Sequence, residues 1–350
     1  MGSIEVPTRH KAVVYDNPGT ISTKVEEIET PKPGVGEVLV NLTHSGVCHS
    51  DMAVMLNAWK TLPVPTQKGQ VGGHEGVGTV VALGPGTENF GLKIGNRVGI
   101  KWMASACGNC IPCLAGADAC CLTGKISGYY TPGTFQQYAL APAHYVTPIP
   151  DGLASDAAAP LLCGGVTVYA ALKKSGAHPG DWVVIPGAGG GLGHLAVQIA
   201  SRGMGFRVIG IDMGEKEKLA KECGAEVFID LSKYSRDQAG TDKLTADVKA
   251  VTGGVGVSSV VVCAASNAAY AQGMNFLKFR GTLVCVGVPE GSPVAIATAD
   301  PGSILVSELR IVGSAVGNRL EAIETLDMAA RQVSPVGILE PEMLTGAEAW

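Results

Sequence analysis

The amino-acid sequence predicts an α/β protein with two domains, a β-rich part followed by a doubly wound parallel sheet. The chain has 350 residues, which is more than one ordinary apolar core accommodates. Its first 150 residues contain short alternating runs such as Glu37 to Leu42 and Gly78 to Leu83, which are typical of strands separated by turns. From Asp181 onward, apolar strand-like runs alternate with helical patterns. That alternation predicts a parallel sheet.

The second half of the chain contains six strand-like runs. Val183 to Ile185 is followed by a helical pattern from Leu192, and Arg207 to Ile211 by another near Glu215 to Cys223. Four further runs occur at residues 227–229, 259–263, 281–286 and 309–312. Six strands connected in this way match the doubly wound dinucleotide-binding arrangement.

Composition and charge argue for small-molecule partners. The formal net charge is -5, and the sequence contains no run of Lys or Arg that would attract nucleic acid or an anionic membrane. The segment Met1 to Val6 lacks the apolar region of a secretory signal, so a cytoplasmic location is expected.

A cysteine-rich segment predicts a structural zinc site. Cys107, Cys110 and Cys113 follow one another at three-residue spacing, and Cys121 comes eight residues later. Four thiolates close a tetrahedral shell around zinc and leave no position for water. Cys120 is an alternative fourth ligand, and buried free thiols are the alternative to a metal. Disulfides are less favoured because no secretory signal is present.

Two further cysteines and a histidine predict a second, catalytic zinc. Cys48, His74 and Cys163 lie in three separate segments of the sequence. Two thiolates and an imidazole leave one coordination position open for water or a substrate oxygen. Each residue alone is more often a core cysteine or a hydrogen-bonded histidine, and it is the combination with the four-cysteine segment that favours a metal.

A glycine-rich turn between a strand and a helix predicts a cofactor site. Such a turn lets the backbone approach a pyrophosphate at the helix N-terminus. Leu192 occupies the place of the last glycine of the usual spacing, so the turn is one residue longer, and a flexible loop is the alternative. The residues assigned to cofactor binding here are Gly187, Gly189, Gly190, Gly191, Leu192 and Gly193.

An acidic residue at the end of the next strand indicates which nucleotide is bound. Asp212 lies 19 positions after Gly193, where its carboxylate accepts hydrogen bonds from ribose hydroxyls and repels a 2′-phosphate. The sequence therefore favours NAD, with NADP as the alternative.

Six segments together resemble the zinc-containing alcohol dehydrogenases of the medium-chain dehydrogenase/reductase family, in particular the fungal, yeast-type members. They are Gly73 to Gly76, the Cys107 to Cys121 segment, Ser127 to Tyr129, Gly133 to Tyr138, Cys163 to Tyr169 and Gly313 to Arg319. The resemblance implies a GroES-like catalytic zinc domain over residues 1–164 and an NAD-binding Rossmann domain over residues 165–300. Residues 301–350 would hold the last Rossmann strand and helix and then a shortened return to the catalytic domain.

The resemblance also implies roles for residues around the catalytic zinc. Cys48, His74 and Cys163 would be its ligands, with Glu75 as an alternative ligand beside it. Asp51 would be the carboxylate that orients His74, a common arrangement for a histidine that binds a metal.

Further roles and the assembly follow from the same resemblance. Ser50 would accept the proton of the alcohol, His49 would lie near the cofactor pyrophosphate, and family spacing favours Cys121 as the fourth ligand. Lys216 would contact the adenosine side of NAD, although a solvated helix face is an equal alternative for this lysine. Fungal relatives imply a homotetramer.

Two departures from the family pattern predict weaker catalysis. Ala53 stands where the proton relay usually ends in a histidine, so slow alcohol oxidation near neutral pH is expected. The tail from Gln332 to Trp350 lacks the family's closing helix and strand, which predicts weaker NAD binding and lower stability.

Matching positions give a sketch of the substrate pocket. Trp59, Trp102 and Val288 would line it, although the two tryptophans are also explained as core aromatics. The predicted activity is the interconversion of alcohols with aldehydes or ketones by hydride transfer with NAD(H). The alternatives are a carbonyl reductase of fungal secondary metabolism on the same scaffold and a non-catalytic protein that binds zinc and NAD.

Overall fold

The computed structural model describes residues 5–59, 62–289 and 294–331. These residues divide into two compact units. The first contains the described residues up to Val166 together with Gly317–Ala330, and the second is Thr167–Val316. The predicted effects of the tail from Gln332 to Trp350 lie outside the described residues and stay predictions.

The first unit is rich in β-structure. Its strands are β1 (Arg9–Tyr15), β2 (Thr23–Glu29), β3 (Glu37–Ser45), β4 (Gly76–Leu83), β5 (Arg97–Ile100), β6 (Met103–Ser105), β7 (Lys125–Ile126), β8 (Tyr138–Pro142) and β9 (Thr147–Pro148). Its helices are short, namely α1 (His49–Met55), α2 (Ile111–Leu114) and α3 (Ser155–Ala158), and α4 (Gly164–Lys174) leads into the second unit.

A five-stranded antiparallel sheet forms the centre of the first unit. Its order is β8-β3-β4-β5-β9, and the predicted strands over residues 37–42 and 78–83 are parts of β3 and β4. Val38, Val40, Val80 and Val98 are fully buried on this sheet. The alternating pattern of the sequence is thus explained by strands that bury one face, as antiparallel sheets commonly do.

Besides most of α4, the second unit contains six strands and five further α-helices among its described residues. They are β10 (Trp182–Pro186), α5 (Gly191–Gln198), β11 (Arg207–Asp212), α6 (Glu217–Cys223), β12 (Val227–Asp230), α7 (Gln238–Val251), β13 (Val257–Val262), α8 (Asn267–Phe276), β14 (Leu277–Cys285), α9 (Pro301–Ser307) and β15 (Arg310–Gly313).

These six strands form one parallel sheet, which confirms the predicted doubly wound fold. The spatial order is β12-β11-β10-β13-β14-β15, and each adjacent pair is parallel. This is the 3-2-1-4-5-6 order of dinucleotide-binding folds. Val184, Ile209, Val260 and Leu283 are fully buried in the four central strands. Burial on both faces accounts for the continuous apolar runs in the sequence.

The final described helix, α10 (Arg319–Ala330), belongs to the first unit. It packs against β9 and against the 3-10 turn Pro160–Leu162. The sequence analysis assigned residues 301–350 to the last Rossmann strand and helix, followed by the return to the catalytic domain. The second compact unit extends to Val316, and β15 completes its sheet. The chain therefore returns to the first unit immediately before α10.

No single helix among the described residues is long and apolar enough to cross a membrane. One pair of helical segments, Ser155–Leu162 and Gly164–Lys174, reaches that length and composition when taken together, but it is bent by 51°.

Candidate metal and cofactor sites

The three predicted catalytic zinc ligands meet in the first unit. One ligand atom from each of Cys48, His74, Glu75 and Cys163 lies within 4.8 Å of the others. The sulfur atoms of Cys48 and Cys163 are 3.8 Å apart, and His74 Nε2 is 3.2 Å from Cys163 Sγ. Two sulfurs and an imidazole nitrogen form a donor set that suits zinc.

Asp51 connects two of these ligands. Helix α1 begins directly after Cys48, and one carboxylate oxygen of Asp51 accepts the backbone N–H of Cys48 at 2.9 Å. The other oxygen lies 2.8 Å from Nδ1 of His74. A proton on Nδ1 leaves Nε2 free to face the sulfurs, so Asp51 sets both the orientation and the tautomer of the imidazole.

Glycines make room for this cluster. A Cβ atom at Gly46 would lie 1.9 Å from Oε2 of Glu75. Gly73 has a φ of +92°, and a Cβ there would lie 2.8 Å from the backbone nitrogen of Phe135. Close packing therefore requires glycine at positions 46 and 73, and Gly73 is also required by its left-handed backbone.

The titratable groups of this cluster shift one another's pKa values. Burial works against a charged His74, but the neighbouring Asp51 raises the pKa of this imidazole well above its ordinary value. The hydrogen bond from Cys163 lowers the pKa of Cys48 to about 3, although burial opposes this. Burial raises the pKa of Glu75 to about 8. The site thus concentrates acidic groups where little water can solvate them, and a divalent cation would stabilise their ionised forms.

Replacing Asp51 with asparagine should weaken zinc binding at this cluster by about 10- to 100-fold, because outer carboxylates of metal-binding histidines contribute that much. Competition with a chelator of known affinity measures this constant. Asp156→Asn, at an exposed position of α3, is the matched control and should leave the zinc affinity unchanged. Equal affinity of Asp51→Asn and the unmodified chain would remove the orienting role of this carboxylate.

The second predicted zinc site also assembles from its four cysteines. One sulfur atom from each of Cys107, Cys110, Cys113 and Cys121 lies within 4.8 Å of the others. Backbone N–H groups of Cys110 and Cys107 donate to the sulfurs of Cys107 and Cys121, at 3.4 and 3.3 Å. Cys120 is exposed and is not part of the cluster. Four sulfurs fill a tetrahedral shell, as in structural zinc sites.

In the second unit, the glycine-rich turn opens helix α5. Gly190 immediately precedes α5, and its backbone N–H donates to the carbonyl of Gly187 at 3.0 Å. A Cβ at Gly193 would lie 1.8 Å from that same carbonyl oxygen. In this lengthened turn, Gly193 therefore takes the place of the glycine that allows the helix to pack on the strand, and Leu192 precedes it.

Asp212 lies beside this turn at the end of β11. Its two carboxylate oxygens accept the backbone N–H groups of Gly189 and Met213, both at 2.8 Å. A Cβ at Gly189 would lie 2.5 Å from the Cβ of Lys216, so the stem of that lysine covers the turn. The structure thus brings Asp212 and Lys216 to the predicted pyrophosphate turn.

The sequence analysis did not assign a role to His194. Nδ1 of this buried side chain lies 2.9 Å from the carbonyl oxygen of Gly190, and burial lowers the pKa of the imidazole. A neutral His194 that donates to Gly190 holds the first turn of α5. The four-residue spacing between the two residues is the signal that would have indicated this contact.

Two predicted pocket residues lie next to the first metal centre. The ring centroids of Trp59 and Trp102 are 5.9 Å apart, and Trp102 meets the edge of His74 at 4.9 Å. Val288 belongs to the second unit and is 51% exposed. Trp102 therefore contacts a metal ligand and Trp59 packs against Trp102, but Trp102 also packs against the apolar core cluster around Tyr15. The assignment of the two tryptophans to the substrate pocket stays a prediction.

The predicted relay residues occupy the first turns of α1. His49 and Ser50 begin this helix, and the backbone N–H of Ser50 stabilises the thiolate of Cys48. Ala53 is 1% exposed on the same helix. The roles of His49 and Ser50 in catalysis stay predictions.

Two protein-family models match this chain, one in each half. Residues 34–151 match the alcohol dehydrogenase GroES-like domain, and residues 191–331 match the zinc-binding dehydrogenase domain. The two matches together cover most of the chain.

Individual relatives agree with these matches. The chain is 61% identical to alcohol dehydrogenase 2 of Emericella nidulans, over 98% of this chain and 94% of that protein. It is 43% identical to an alcohol dehydrogenase of Schizosaccharomyces pombe, over 94% and 88% of the two chains. Among solved structures, acetophenone reductase from Geotrichum candidum in complex with NAD superposes with a TM-score of 0.78 and 29% identity, over 94% and 89%.

Proposed function

Because the chain belongs to the zinc-dependent alcohol dehydrogenase family, we propose that it acts on small to medium alcohols and the corresponding aldehydes or ketones. It is an oxidoreductase that uses zinc and NAD. The observation that carries the proposal is the cluster of Cys48, His74 and Cys163, with Asp51 fixing the imidazole. When bound, the zinc supplies a Lewis acid for the substrate oxygen, and NAD supplies the hydride acceptor.

The residues of the chain divide the work between the two units. Cys48, His74 and Cys163 would hold the zinc, and Asp51 keeps Nε2 of the histidine available to it. Ser50, two residues after Cys48, would accept the proton of the alcohol. The turn from Gly187 to Gly193 would hold the pyrophosphate of NAD at the N-terminus of α5.

An aromatic surface beside the first metal centre suits apolar substrates, including ones larger than ethanol. The paired rings of Trp59 and Trp102 offer an apolar, aromatic surface beside His74. The structural neighbour from Geotrichum candidum is described as an acetophenone reductase, which makes an aromatic ketone a useful test compound. A carbonyl reductase on this scaffold is the second candidate.

A substrate panel tests the proposal. NADH-coupled rates would be measured for alcohols and aldehydes of increasing chain length and for acetophenone, with NADPH as the control. We expect turnover with NADH and higher kcat/KM for medium-length substrates than for ethanol. Turnover of aromatic ketones alone would favour the carbonyl reductase, and zinc binding without any hydride transfer would favour a non-catalytic binding protein.

Replacing Asp212 with alanine should weaken NAD binding by about 10- to 100-fold, because hydrogen bonds to a charged acceptor contribute about 1.5–3 kcal/mol. The affinity for NADP should rise at the same time, since the carboxylate no longer repels a 2′-phosphate. Titration of both nucleotides measures the two constants. An equal fall in both affinities would mean that Asp212 acts only by holding the N–H of Gly189.

Replacing Ala53 with histidine should speed alcohol oxidation near neutral pH, because it supplies a base for proton release. The burial of Ala53 adds a cost of about 1–3 kcal/mol in unfolding free energy, since a larger side chain must displace its neighbours. The pH dependence of kcat and the melting temperature are both measured. A pH profile identical to that of the unmodified chain would contradict the relay function.

The chain is proposed to form a homo-oligomer in the cytoplasm, without nucleic-acid or membrane partners. Among the residues that the structure describes, β15 is the edge strand of the parallel sheet, and Leu305 and Val306 of the preceding helix are 76% and 81% exposed. Exposed apolar residues next to an unpaired strand edge support self-association. Sedimentation of the purified protein distinguishes a monomer, a dimer and the tetramer that the family resemblance implies.

A further inference from the structure

The four-cysteine lobe carries an acidic residue that reaches outside the lobe. Asp118 lies between the ligands Cys113 and Cys121, in the 3-10 turn Asp118–Cys120. One of its carboxylate oxygens, Oδ2, accepts the hydroxyl of Tyr145 at 2.9 Å and the backbone N–H of Arg319 at 3.1 Å. Arg319 is the first residue of α10, so the lobe is hydrogen-bonded directly to the N-terminus of that helix.

The N-terminus of α10 depends on the lobe for part of its capping. Asn318 caps the helix internally, since its side-chain oxygen accepts the N–H of Glu321 at 2.8 Å. Its side-chain nitrogen donates to the carbonyl of Gly116 in the lobe at 3.0 Å. The N–H of Arg319 is satisfied by Asp118, whose negative charge also suits the positive end of a helix. Movement of the lobe would therefore leave this end of α10 without two partners.

Residues further along α10 pack against the segment that ends at Cys163. Thr325 and Leu326 of the helix are buried, and α10 packs against the turn Pro160–Leu162. That turn leads into Cys163, whose N–H donates to the carbonyl of Pro160 at 3.4 Å. A Cβ at Gly165, just after the ligand, would lie 3.3 Å from Cγ2 of Thr325. The helix therefore contacts the chain on both sides of Cys163.

We propose that Asp118 is a positioning residue that couples the four-cysteine lobe to the zinc ligand Cys163 through helix α10. In this arrangement the lobe does more than stabilise its own loop. A metal bound to the four sulfurs would fix the loop that carries Asp118. Asp118 binds the N-terminus of α10, and α10 packs against the turn that leads into Cys163. The proposal rests on the assignment of Cys163 as a ligand of the catalytic zinc.

The experiment measures zinc release from the purified full-length protein in the presence of a chromogenic chelator. Cys163→Ser serves as the reference, because it should retain only the zinc of the lobe and so identify which release phase belongs to which site. If Cys163→Ser keeps both zinc ions, the ligand assignment fails, and this outcome is separate from a failure of the coupling.

Two substitutions at one position test the link without touching the lobe. Arg319→Pro removes the N–H that Asp118 accepts, at a helix position where proline is well tolerated. Arg319→Ala keeps the N–H and loses only the side chain, which donates to the carbonyl of Val146. We expect Arg319→Pro to speed release from the catalytic site about tenfold relative to Arg319→Ala, which corresponds to one hydrogen bond to a charged group. Release from the lobe should be unchanged in both variants.

Substitutions at the other end of the link provide an independent check. Asp118→Ala should reproduce the faster release from the catalytic site, and combining it with Arg319→Pro should add nothing further. Tyr145→Phe removes one partner of Asp118 but keeps the bond to Arg319, so its catalytic-site release should stay within about twofold of the unmodified rate. Equal release rates in Arg319→Pro and Arg319→Ala would overturn the proposal. So would faster release in Tyr145→Phe that matches Asp118→Ala.

Discussion

Replacing Cys163 with serine should lower kcat/KM for alcohol oxidation by about a thousandfold or more and remove one zinc ion per chain. Cys163 supplies a sulfur that lies 3.8 Å from that of Cys48 and 3.2 Å from His74 Nε2. Without it the metal loses one of its two thiolates, and a metal of this kind contributes several kcal/mol to catalysis. Each 1.36 kcal/mol corresponds to about a tenfold change in rate.

The matched control is the same substitution at a cysteine outside both clusters. Cys120 is exposed and lies next to Cys121, so Cys120→Ser tests whether loss of any thiol near a metal site has this effect. We expect Cys120→Ser to keep both zinc ions and full activity. Metal analysis by mass spectrometry and steady-state kinetics measure the two quantities. Full activity of Cys163→Ser at an unchanged zinc content would exclude this cluster as the catalytic centre.

Replacing Gly193 with alanine should lower the free energy of unfolding by about 3 kcal/mol or more and abolish measurable NAD binding. The new Cβ would lie 1.8 Å from the carbonyl oxygen of Gly187. Because the obstructing atom belongs to the backbone, no rotamer change relieves the overlap, and the cost lies at or above the upper end of overpacking effects. The turn between β10 and α5 must open, and the helix end that would face the pyrophosphate moves with it.

A neighbouring glycine provides the control for this prediction. Gly191 has no heavy atom within 4 Å of the position of an added Cβ, and its φ is not positive. Gly191→Ala should therefore keep its stability, as measured by denaturant unfolding. The control distinguishes overlap within the protein from overlap with the cofactor. A Gly191→Ala variant that is stable but binds NAD weakly would show that the cofactor itself needs this space. Equal stability of the two alanine variants would contradict the packing argument at Gly193.

Much of the fold follows from local patterns in the sequence. The six strands of the parallel sheet were all predicted, because strands buried on both faces require continuous apolar runs. Helices α7 and α8 were not assigned from the sequence. Of the 14 residues of α7, only Gly240, Leu244 and Val248 are buried, so its apolar face is narrow. In the sequence alone, such a pattern resembles that of an exposed loop, and the helix is recognised only from its packing in the structure.

The division into two units could not be predicted fully from local sequence patterns. Nothing in the residues of α10 alone assigns it to one unit, because its buried positions Ala322, Thr325 and Leu326 would fit any apolar surface. Its place in the first unit depends on Asp118 and on the turn Pro160–Leu162, which are more than 150 positions earlier in the sequence. Partners at such separations are brought together only by folding.

The sequence by itself determined the chemistry of this protein. The number and spacing of its cysteines, together with His74 and Asp212, indicated two zinc sites and an NAD site, because metals and nucleotides require particular donor atoms. Only the tertiary structure decided how those donors are held. Three pairs of groups distant in sequence illustrate this: Asp51 and His74, Gly46 and Glu75, and Asp118 and α10. Each pair depends on distances of a few ångströms, which the spacing of residues along the chain does not specify.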